Sequence, residues 1–386
     1  MTIRGIGELR QADEGLNHQI VDTFATVGQS DRSWAEKIWG SLAKADGSLQ
    51  VDFGLGRYHN RGIMDGFGGV SRGREQWIVR GSRELAPAWE EASVGPIRYE
   101  IVEPLKRVRF VLEPNDVQPI SFDLVLTGVM APSFEDRNTM RDPRTGRIDV
   151  DVIRYHQTGH VSGTLTVDGE THEVTPDEWF GARDHSWGVR QGVGEPTTDT
   201  IPSVLATNIS ARSMMLWSPA FFRRPDGSYY EIAMHLASRA WGEFAHVHEA
   251  DGVQIPIRTV APNLTYDPVT RFVQGGEIKL TMGTGEERVF EVEAPGPSGF
   301  FLRPAGYGKW GDTLHGTWRG PLAVDGEYFA DCWSPENHPL LGQLRDTPIK
   351  VREGDAVGFG IMESIMSGEW PEFGLSADSD LRVKYL

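Results

Sequence analysis

The residues best suited to acid–base chemistry lie in one short segment near the middle of the chain. Residues 179–190 read WFGARDHSWGVR, in which the carboxyl group of Asp184 is flanked by Arg183 and His185 and followed by Trp187. Successive side chains of a β-strand point to opposite faces, so Asp184 lies on one face and its two neighbours lie on the other face with Trp187. We therefore predict a carboxylate on one side of this strand and a row of cationic and aromatic groups on the other.

The same cluster also fits a structural role. A network of salt bridges and hydrogen bonds among Arg183, Asp184 and His185 is a typical way to fix a barrel end or a domain joint. Direct catalysis and ligand binding without chemistry are the other two interpretations. The sequence alone leaves all three open.

The segment that leads into this cluster carries a resemblance to a known family. Residues 155–190 read YHQTGHVSGTLTVDGETHEVTPDEWFGARDHSWGVR, which predicts a strand, an Asp-Gly hairpin, a return strand and then Asp-His-Ser-Trp-Gly. This arrangement resembles the lipocalin-like proteins related to bacterial carotenoid 1,2-hydratases and to fungal Diels-Alderase-type proteins, which implies tandem calycin-like barrels. In that family the motif is usually Trp-x-Asp-His/Arg-Glu-Trp, and Ser186 stands here where Glu is commoner.

The resemblance also implies a chemistry, because the Asp of this motif is implicated in protonating a terminal alkene of an isoprenoid. Asp184 is its counterpart, and Arg183 or His185 would tune it. An apolar pocket raises the pKa of a carboxyl group, so the acid keeps a proton to donate at neutral pH without any cofactor. Aromatic faces stabilise the resulting cation by about 0.5–2 kcal/mol each. The aromatic residues expected to bind substrate are Tyr155, Trp179, Trp187 and Trp217.

A second polar patch follows the glycines at Gly54 and Gly56. Alternation along a strand places Tyr58 and Asn60 on one face, from which they would orient a hydroxyl or carbonyl group of a substrate inside the first barrel. A plain turn at the end of a strand is the structural alternative.

Two further patterns carry less weight. His246 and His248 share a face of a predicted strand, and His235 on the preceding strand would complete a three-imidazole metal site. Positions on the protein surface explain these histidines equally well, and we assign no metal ligand. Glu327 and Asp331 share a strand face beside aromatic residues, as in a glycosidase. Their separation of about 13 Å is too large for either glycosidase geometry.

Composition disfavours several classes of function. A formal net charge of -17 makes nucleic acid an unfavourable partner, since its phosphates attract basic proteins. Residues 1–20 lack the apolar core of a signal peptide, and no stretch approaches the ~18 apolar residues of a membrane span, so we expect a cytoplasmic protein without stable membrane insertion. The single cysteine, Cys332, fits a reducing compartment, and we interpret it as a small buried residue.

Strand and turn patterns recur along the whole chain. Gly and Pro, 45 and 23 residues, punctuate runs in which apolar and polar residues alternate. The alternating runs include 97–102, 107–112, 121–126, 163–167, 229–235 and 277–281. Asp-Gly pairs predict hairpin turns at Asp46, Asp168, Asp226, Asp251 and Asp325. Helical signals are limited to 31–38 and 83–91. We predict an all-β fold of two tandem antiparallel lipocalin-like (calycin) barrels or sandwiches with few short helices.

At 386 residues the chain is too long for one hydrophobic core. Residues 191–202 lack periodicity, so we predict an N-terminal domain over 1–195 and a C-terminal domain over 196–386. Residues 132–147, rich in Asp, Arg, Asn and Pro, predict a long surface loop that covers a barrel mouth.

Two hypotheses from different classes follow. The first is a cofactor-independent acid–base enzyme, of the hydratase/dehydratase, isomerase or cyclase type, which acts on an apolar isoprenoid- or terpenoid-like small molecule. The second is a non-catalytic carrier or sensor that encloses a hydrophobic ligand in one barrel. The substrate, the reaction direction and the oligomeric state, a homodimer included, stay open.

Overall fold

The computed structural model of the chain describes residues 9–19, 21–26, 28–195, 199–201, 212–237 and 244–377. These residues form two antiparallel, barrel-like sheets with little helix, which confirms the predicted fold class. The strands are β1 (Trp34–Lys44), β2 (Leu49–Tyr58), β3 (Ile63–Arg72), β4 (Glu75–Glu84), β5 (Ser93–Val94), β6 (Ile97–Glu103), β7 (Arg107–Leu112), β8 (Ile120–Gly128), β9 (Ser133–Phe134), β10 (Asn138–Arg141), β11 (Ile148–Val167), β12 (Glu170–Val174), β13 (Trp179–Val189), β14 (Ser213–Arg223), β15 (Tyr229–Ala237), β16 (Phe244–Glu249), β17 (Gln254–Tyr266), β18 (Val273–Met282), β19 (Glu287–Glu293), β20 (Phe300–Phe301), β21 (Leu322–Phe329), β22 (Arg345–Glu353) and β23 (Ala356–Ser367).

In the part of the chain that the structure describes, helical structure is confined to single turns. They are the 3-10 turns Gln11–Glu14, His59–Arg61, Arg303–Ala305 and Pro371–Phe373 and the α-helical turn His338–Leu341. Among the described residues, no helix has the length and apolar character needed to cross a membrane.

The first sheet curls around an apolar interior. Its strand order is β21-β4-β3-β2-β1-β13-β11-β8-β7-β6-β5, and β9, β10 and β12 pair with the long strand β11. The two ends of the curl approach each other where Val94 of β5 lies against Gly81 of β4, since a Cβ at Gly81 would meet Val94 at 3.0 Å. Phe53 and Phe110, both fully buried with ring centroids 5.1 Å apart, lie in this interior.

The second sheet closes on itself. Its order is β19-β18-β17-β16-β15-β14-β23-β22-β20, and an additional pairing of β19 with β22 completes the barrel. Phe222, Ile278, Phe290 and Ile349 fill its interior and are at most 2% exposed. Large side chains thus occupy the interior of both barrels, as is usual for small barrels.

The two barrels pack through the outward faces of their strands. A third apolar cluster lies at this junction and includes Trp39 of β1, Phe180 of β13 and Trp217 of β14. The rings of Trp39 and Trp217 meet edge to face at 5.3 Å, a favourable geometry for aromatic pairs. Strand alternation explains the arrangement, because residues next to Trp39 and Trp217, such as Ile38 and Leu216, belong to the barrel interiors.

The C-terminal half also contributes to the first sheet. Strand β21 pairs with β4, and Phe300 stacks on Phe67 of β3 with ring centroids 5.9 Å apart. Glycine is required at Gly69 beside this stack, since a Cβ there would lie 2.3 Å from the Phe300 ring. The division of the chain at residues 195 and 196 stays a prediction.

Several local predictions were confirmed and others were wrong. The alternating runs lie in β6, β7, β8, β11, β15 and β18, and Asp-Gly turns join strands at Asp46, Asp168, Asp226 and Asp251. Asp325 instead lies inside β21, where pairing with β4 extends the backbone.

Neither predicted helix forms. The segment 31–38 enters β1 at Trp34, and 83–91 leaves β4 at Glu84 and continues as turns. Sheet pairing on both sides of β1 outweighs its weak helix signal. The expected loop over 132–147 is also wrong in part, because it contains β9 and β10, which add to β11.

The barrel interiors allow a direct test of the packing. Phe110→Ala removes a fully buried ring, and we expect it to lower the free energy of unfolding by about 3–5 kcal/mol in chemical denaturation. Val289→Ala on β19, where the side chain is 45% exposed, is the control and should change stability by about 0.5 kcal/mol or less. Equal losses in the two variants would contradict this assignment of the core.

Candidate active site between the two barrels

Asp184 lies on the outward face of β13, at the junction with the second barrel. Its residue is 8% exposed, and its register neighbours are Trp39 on β1 and His156 on β11. The Nε atom of Arg154, two residues before His156 on β11, lies 3.1 Å from Asp184 Oδ2. The carboxyl group is therefore buried and in contact with a guanidinium group other than that of its chain neighbour Arg183.

The surroundings of Asp184 favour its protonated form. Burial raises the pKa of the carboxyl group, Arg154 opposes this effect, and the nearby Glu135 carboxylate adds to it. The balance is a pKa above the ordinary value of an aspartic acid. This is the shift that a proton donor needs.

A buried lysine and a tyrosine lie beside Asp184. Lys37 of β1 is 3% exposed, and its Nζ atom lies 4.1 Å from the ring centroid of Tyr307. Burial and the Arg190 guanidinium lower the pKa of Lys37 well below its usual range, while Asp65 and Asp184 oppose the shift. The phenol pKa of Tyr307 rises, chiefly through burial and then through Asp184, so Tyr307 stays a hydroxyl group near this site.

On its other side, Arg154 connects Asp184 to a second carboxylate. Its Nη1 atom donates to Glu135 Oε2 at 3.4 Å, and Glu135 Oε1 accepts a hydrogen bond from Trp217 Nε1 at 2.9 Å. Burial by itself would raise the pKa of Glu135, but Arg154, His156 and Trp217 lower it to about 2. Glu135 is thus an ionised partner for two cations.

The second of those cations is His156, which is completely buried. Its Nδ1 lies 3.3 Å from Glu135 Oε1 and its Nε2 lies 2.9 Å from Glu231 Oε1, while Thr158 donates to the other Glu231 oxygen at 2.7 Å. Burial alone would lower the pKa of His156, but the two carboxylates raise it to about 10. His156 is therefore an imidazolium that links β11 to β15.

A third group of acids lies further along the same junction. Asp346 of β22 accepts a hydrogen bond from Trp39 Nε1 at 3.0 Å and is the register neighbour of Glu363 on β23. Burial and Asp52 raise the pKa of Asp346 well above its usual range, and burial and Asp346 do the same for Glu363. Burial also raises the pKa of Asp52, to about 7. These acids retain protons that ordinary surface carboxylates would lose.

Arg183 and His185 lie on the opposite face of β13, as strand alternation predicts. Arg183 donates to Gln157 Oε1 at 2.8 Å and lies 5.4 Å from the Tyr155 ring centroid. His185 contacts the Tyr155 hydroxyl at 3.0 Å and Glu36 Oε1 at 2.8 Å. The motif is thus split between the interior of the first barrel and the junction, and neither Arg183 nor His185 pairs with Asp184.

The predicted substrate-binding residues are likewise divided between locations. Trp187 packs edge to face on His185 at 5.3 Å, next to Tyr155, and Trp179 is a core residue of the first barrel. Trp217 lies at the junction near Asp184, with the Arg154 guanidinium 5.9 Å from its ring centroid. Of these aromatic residues, only Trp217 lies at the junction with Asp184.

The early polar patch does not line the barrel interior. Tyr58 is fully buried and donates to Asp65 Oδ1 at 2.8 Å. Asn60 donates to the carbonyl oxygens of Gln29 and Asp31 at 3.1 and 2.7 Å and so holds the segment before β1. Asn60 therefore has a structural role in this conformation.

The remaining candidates are accounted for by local contacts. His246 and His248 share a face, as predicted, but within the described residues no group of three His, Cys, Asp or Glu side chains is arranged to hold a metal ion. Ser133 contacts His246 Nε2 at 2.9 Å. Glu327 and Asp331 pair with arginines at 3.1 and 2.8 Å, and burial raises the pKa of Cys332 to about 12, so the thiol is protonated.

Sequence reasoning missed most of the junction. Lys37, Arg154, Glu135, His156 and Glu363 were not singled out. One signal was present, since Arg154, His156 and Thr158 alternate with Tyr155 and Gln157 and therefore share a face of one strand. The partners on β22 and β23 are more than 150 residues away in the chain and left no local pattern.

Comparison with protein families identifies the group to which the chain belongs. A family of unknown function, DUF8625, matches residues 9–376, nearly the whole chain. The chain belongs to this family. No curated protein matches this DUF8625 member.

Several solved structures are similar to the DUF8625 chain at low identity. Kievitone hydratase from Nectria haematococca is 14% identical with a TM-score of 0.40, covering 86% of this chain and 89% of that chain. A putative AttH from Nitrosomonas europaea is 13% identical with a TM-score of 0.45, covering 86% and 92%. CghA in complex with Sch210972 is 11% identical with a TM-score of 0.43, covering 87% and 89%. These likenesses leave the activity of the DUF8625 chain open.

The charged bridge at His156 predicts a dependence of stability on pH. A group whose pKa is raised from 6.5 to about 10 on folding stabilises the folded state fully below pH 6.5, and this contribution is lost as the pH rises towards 10. We expect His156→Gln to lower the free energy of unfolding at pH 6 by about 3–5 kcal/mol, because two carboxylates lose their buried cation. Chemical denaturation at pH 6, 8 and 10 measures the effect.

The difference between wild type and His156→Gln should shrink as the pH rises. His172→Gln is the control, since His172 lies on β12 with its side chain 24% exposed. A constant difference from pH 6 to pH 10 would show that His156 is uncharged in the folded protein.

Proposed function

We propose that this protein is an acid–base enzyme that acts on an apolar, isoprenoid-like small molecule at the junction of its two barrels. Asp184 is the proton donor, and no cofactor takes part. The reaction is of the hydratase/dehydratase, isomerase or cyclase type. The observation that carries the proposal is the buried Asp184 carboxyl group, whose pKa is raised by burial beside the aromatic rings of the junction.

The first support is that the pKa values of neighbouring buried groups are shifted in different directions. Asp184 is pushed towards its protonated form, while Lys37 is pushed towards its neutral form and Glu135 stays ionised. Neighbouring groups with pKa values displaced in different directions are typical of sites that exchange protons with a substrate.

The second support is the aromatic lining. Trp39 is the register neighbour of Asp184, Trp217 packs against Trp39 at 5.3 Å, and Tyr307 is close enough for Asp184 to raise its pKa. Protonation of a trisubstituted alkene gives a tertiary cation, and each aromatic face contributes about 0.5–2 kcal/mol to its stabilisation. An apolar substrate with an alkene therefore suits this surface better than a polar one.

Turnover assays with Asp184→Asn test the proposal. Purified protein is incubated with geraniol, farnesol and squalene, and products are measured by mass spectrometry. We expect wild type to convert at least one of them and Asp184→Asn to be slower by about 10²–10⁴-fold, because the amide has no acidic proton to transfer. A thermal shift with the same compounds should persist in the variant.

Asp168→Asn is the matched control, because Asp168 lies in the exposed turn between β11 and β12 and Asn tolerates its positive φ of 53°. It should convert substrate at the wild-type rate. Equal rates in wild type and Asp184→Asn would contradict the proposal. A thermal shift without any product from wild type would favour the carrier or sensor.

The rate should also depend on pH in one direction. A proton donor works only while protonated, so kcat is expected to be constant below the raised pKa of Asp184 and to fall about tenfold per pH unit above it. Initial rates from pH 4 to pH 9 measure this fall in kcat. A rate that rises steadily with pH would assign the essential ionised form to another group.

A further inference from the structure

A second catalytic candidate lies next to the junction, beginning at Asp65 of β3. The Asp65 carboxylate accepts hydrogen bonds from the Tyr58 hydroxyl at 2.8 Å and from the Gly316 N–H at 2.6 Å. Gly316 has φ +68°, and a Cβ there would meet Tyr58 at 3.0 Å, so this backbone donor requires glycine. Burial by itself would raise the pKa of Asp65, but His315, the Gly316 N–H and Lys37 lower it, and the group is an oriented carboxylate.

The imidazole of His315 faces this carboxylate. Its Nδ1 atom lies 3.7 Å from Asp65 Oδ1, which favours the tautomer that carries the proton on Nδ1. The Nε2 atom is buried and has no hydrogen-bond partner, and the residue is 8% exposed. A backbone bridge to Val193 holds the residue in place. His315 therefore has an unpaired ring nitrogen, Nε2, and a carboxylate near its other ring nitrogen.

Burial and Lys37 lower the pKa of His315 to about 4, against the effect of Asp65. Arg190 also lowers this pKa, and the Tyr307 ring meets the imidazole edge to face at 4.7 Å. The imidazole is thus neutral at physiological pH. A neutral imidazole that has a free nitrogen and is oriented by a carboxylate is the arrangement of a general base.

His315 also lines a polar pocket on the surface. The pocket has about 360 Å³ of space, including its open mouth. Its walls include Asp65, Arg80, Ser82, Thr313, Thr317 and Arg319. The hydroxyl, carboxylate and guanidinium groups among these residues can hold water by hydrogen bonds.

The same residue is connected to the proposed active site through Tyr307. Tyr307 contacts His315, and the Nζ atom of Lys37 lies over the face of the Tyr307 ring. Asp184 influences both Lys37 and Tyr307 electrostatically. His315 therefore lines the open pocket and also contacts Tyr307, whose pKa is influenced by the buried Asp184.

We propose that His315, positioned by Asp65, is the general base that activates water from the polar pocket, so that the reaction of this protein is the hydration of an alkene or its reverse. The proposal rests on the proposed function, and it narrows the reaction class. Asp65 is a positioning residue, since it acts through His315.

Hydration requires one proton transfer from Asp184 and one to His315. The Asp184 O–H bond breaks and its proton forms a C–H bond with one alkene carbon as the π bond opens. The water oxygen bonds to the other, cationic carbon, and the proton that it loses goes to Nε2 of His315. The imidazolium then releases this proton to solvent, and the Asp184 carboxylate takes one up. Dehydration is the same sequence in reverse.

Nitrogen-15 NMR of the histidine rings tests the base without any turnover. We expect the His315 signal, assigned by its absence in His315→Gln, to show a neutral ring with the proton on Nδ1 at pH 7. Asp65→Asn should change the tautomer populations. A proton on Nε2, or an imidazolium at pH 7, would overturn the proposal.

Turnover of geraniol, farnesol and squalene in ¹⁸O-labelled water tests the reaction class. We expect products that carry one labelled oxygen (hydration) or that have lost one water (dehydration). The rate should fall by about 10²-fold or more in His315→Gln and by less in Asp65→Asn. His338→Gln is the matched control, because His338 is also buried with an unpartnered Nε2 but contacts Phe272 and lies away from Asp184. It should retain the wild-type rate.

The outcomes separate the two proposals. Products that have neither gained a labelled oxygen nor lost water, or equal rates in His315→Gln and wild type, would overturn the role of His315 while leaving Asp184 as the acid. If wild type converts none of the three compounds, the proposed function fails for this substrate class. The tautomer and the response of Nε2 to added farnesol still decide whether His315 is a base that faces a ligand: an unchanged Nε2 signal overturns that role, and a shifted one supports it.

Discussion

The removal of ionisable groups from water at the junction of two barrels is the constraint on which the rest of this structure depends. Each barrel has an apolar interior, but the strands that face the other barrel carry acids, a lysine and arginines on their outward side. Packing these faces together costs desolvation energy unless the groups pair or change their protonation state. Both responses occur at this junction.

Around His156 the buried carboxylates form ion pairs with cations. Around Asp346 the buried acids are protonated instead. His156 and Arg154 neutralise Glu135 and Glu231 through contacts of 2.9–3.4 Å, so these carboxylates stay ionised. Asp346, Glu363 and Asp52 have one another as neighbours, and burial together with like charge drives them towards their acid forms. Asp184 is intermediate between an ion-paired carboxylate and a protonated acid, because Arg154 offsets only part of the rise in pKa that burial causes. That intermediate position suits a group that exchanges a proton.

The environment of Asp184 differs from the one expected from the motif. The sequence suggested an acid in a greasy barrel cavity, tuned by Arg183 or His185. Side chains instead fill the first barrel, and β13 sends Arg183 and His185 to its inner face while Asp184 meets the second barrel. The apolar contribution to the site comes from Trp39, Trp217 and Tyr307, two of which lie far from the motif in the chain.

Local sequence patterns were sufficient to predict the all-β class, many strand positions and the hairpin turns. They also predicted that Asp184 and Arg183 lie on opposite faces of their strand. These properties follow from alternation and from Asp-Gly turn geometry, which act over a few residues. The partners of Asp184 were decided by tertiary structure alone. Arg154, Lys37 and Tyr307 reach it through pairing of β1, β11 and β13 and through packing of the 303–320 segment. The pKa of a buried acid depends on charges a few ångströms away, and no spacing in the chain records which distant strands will supply them.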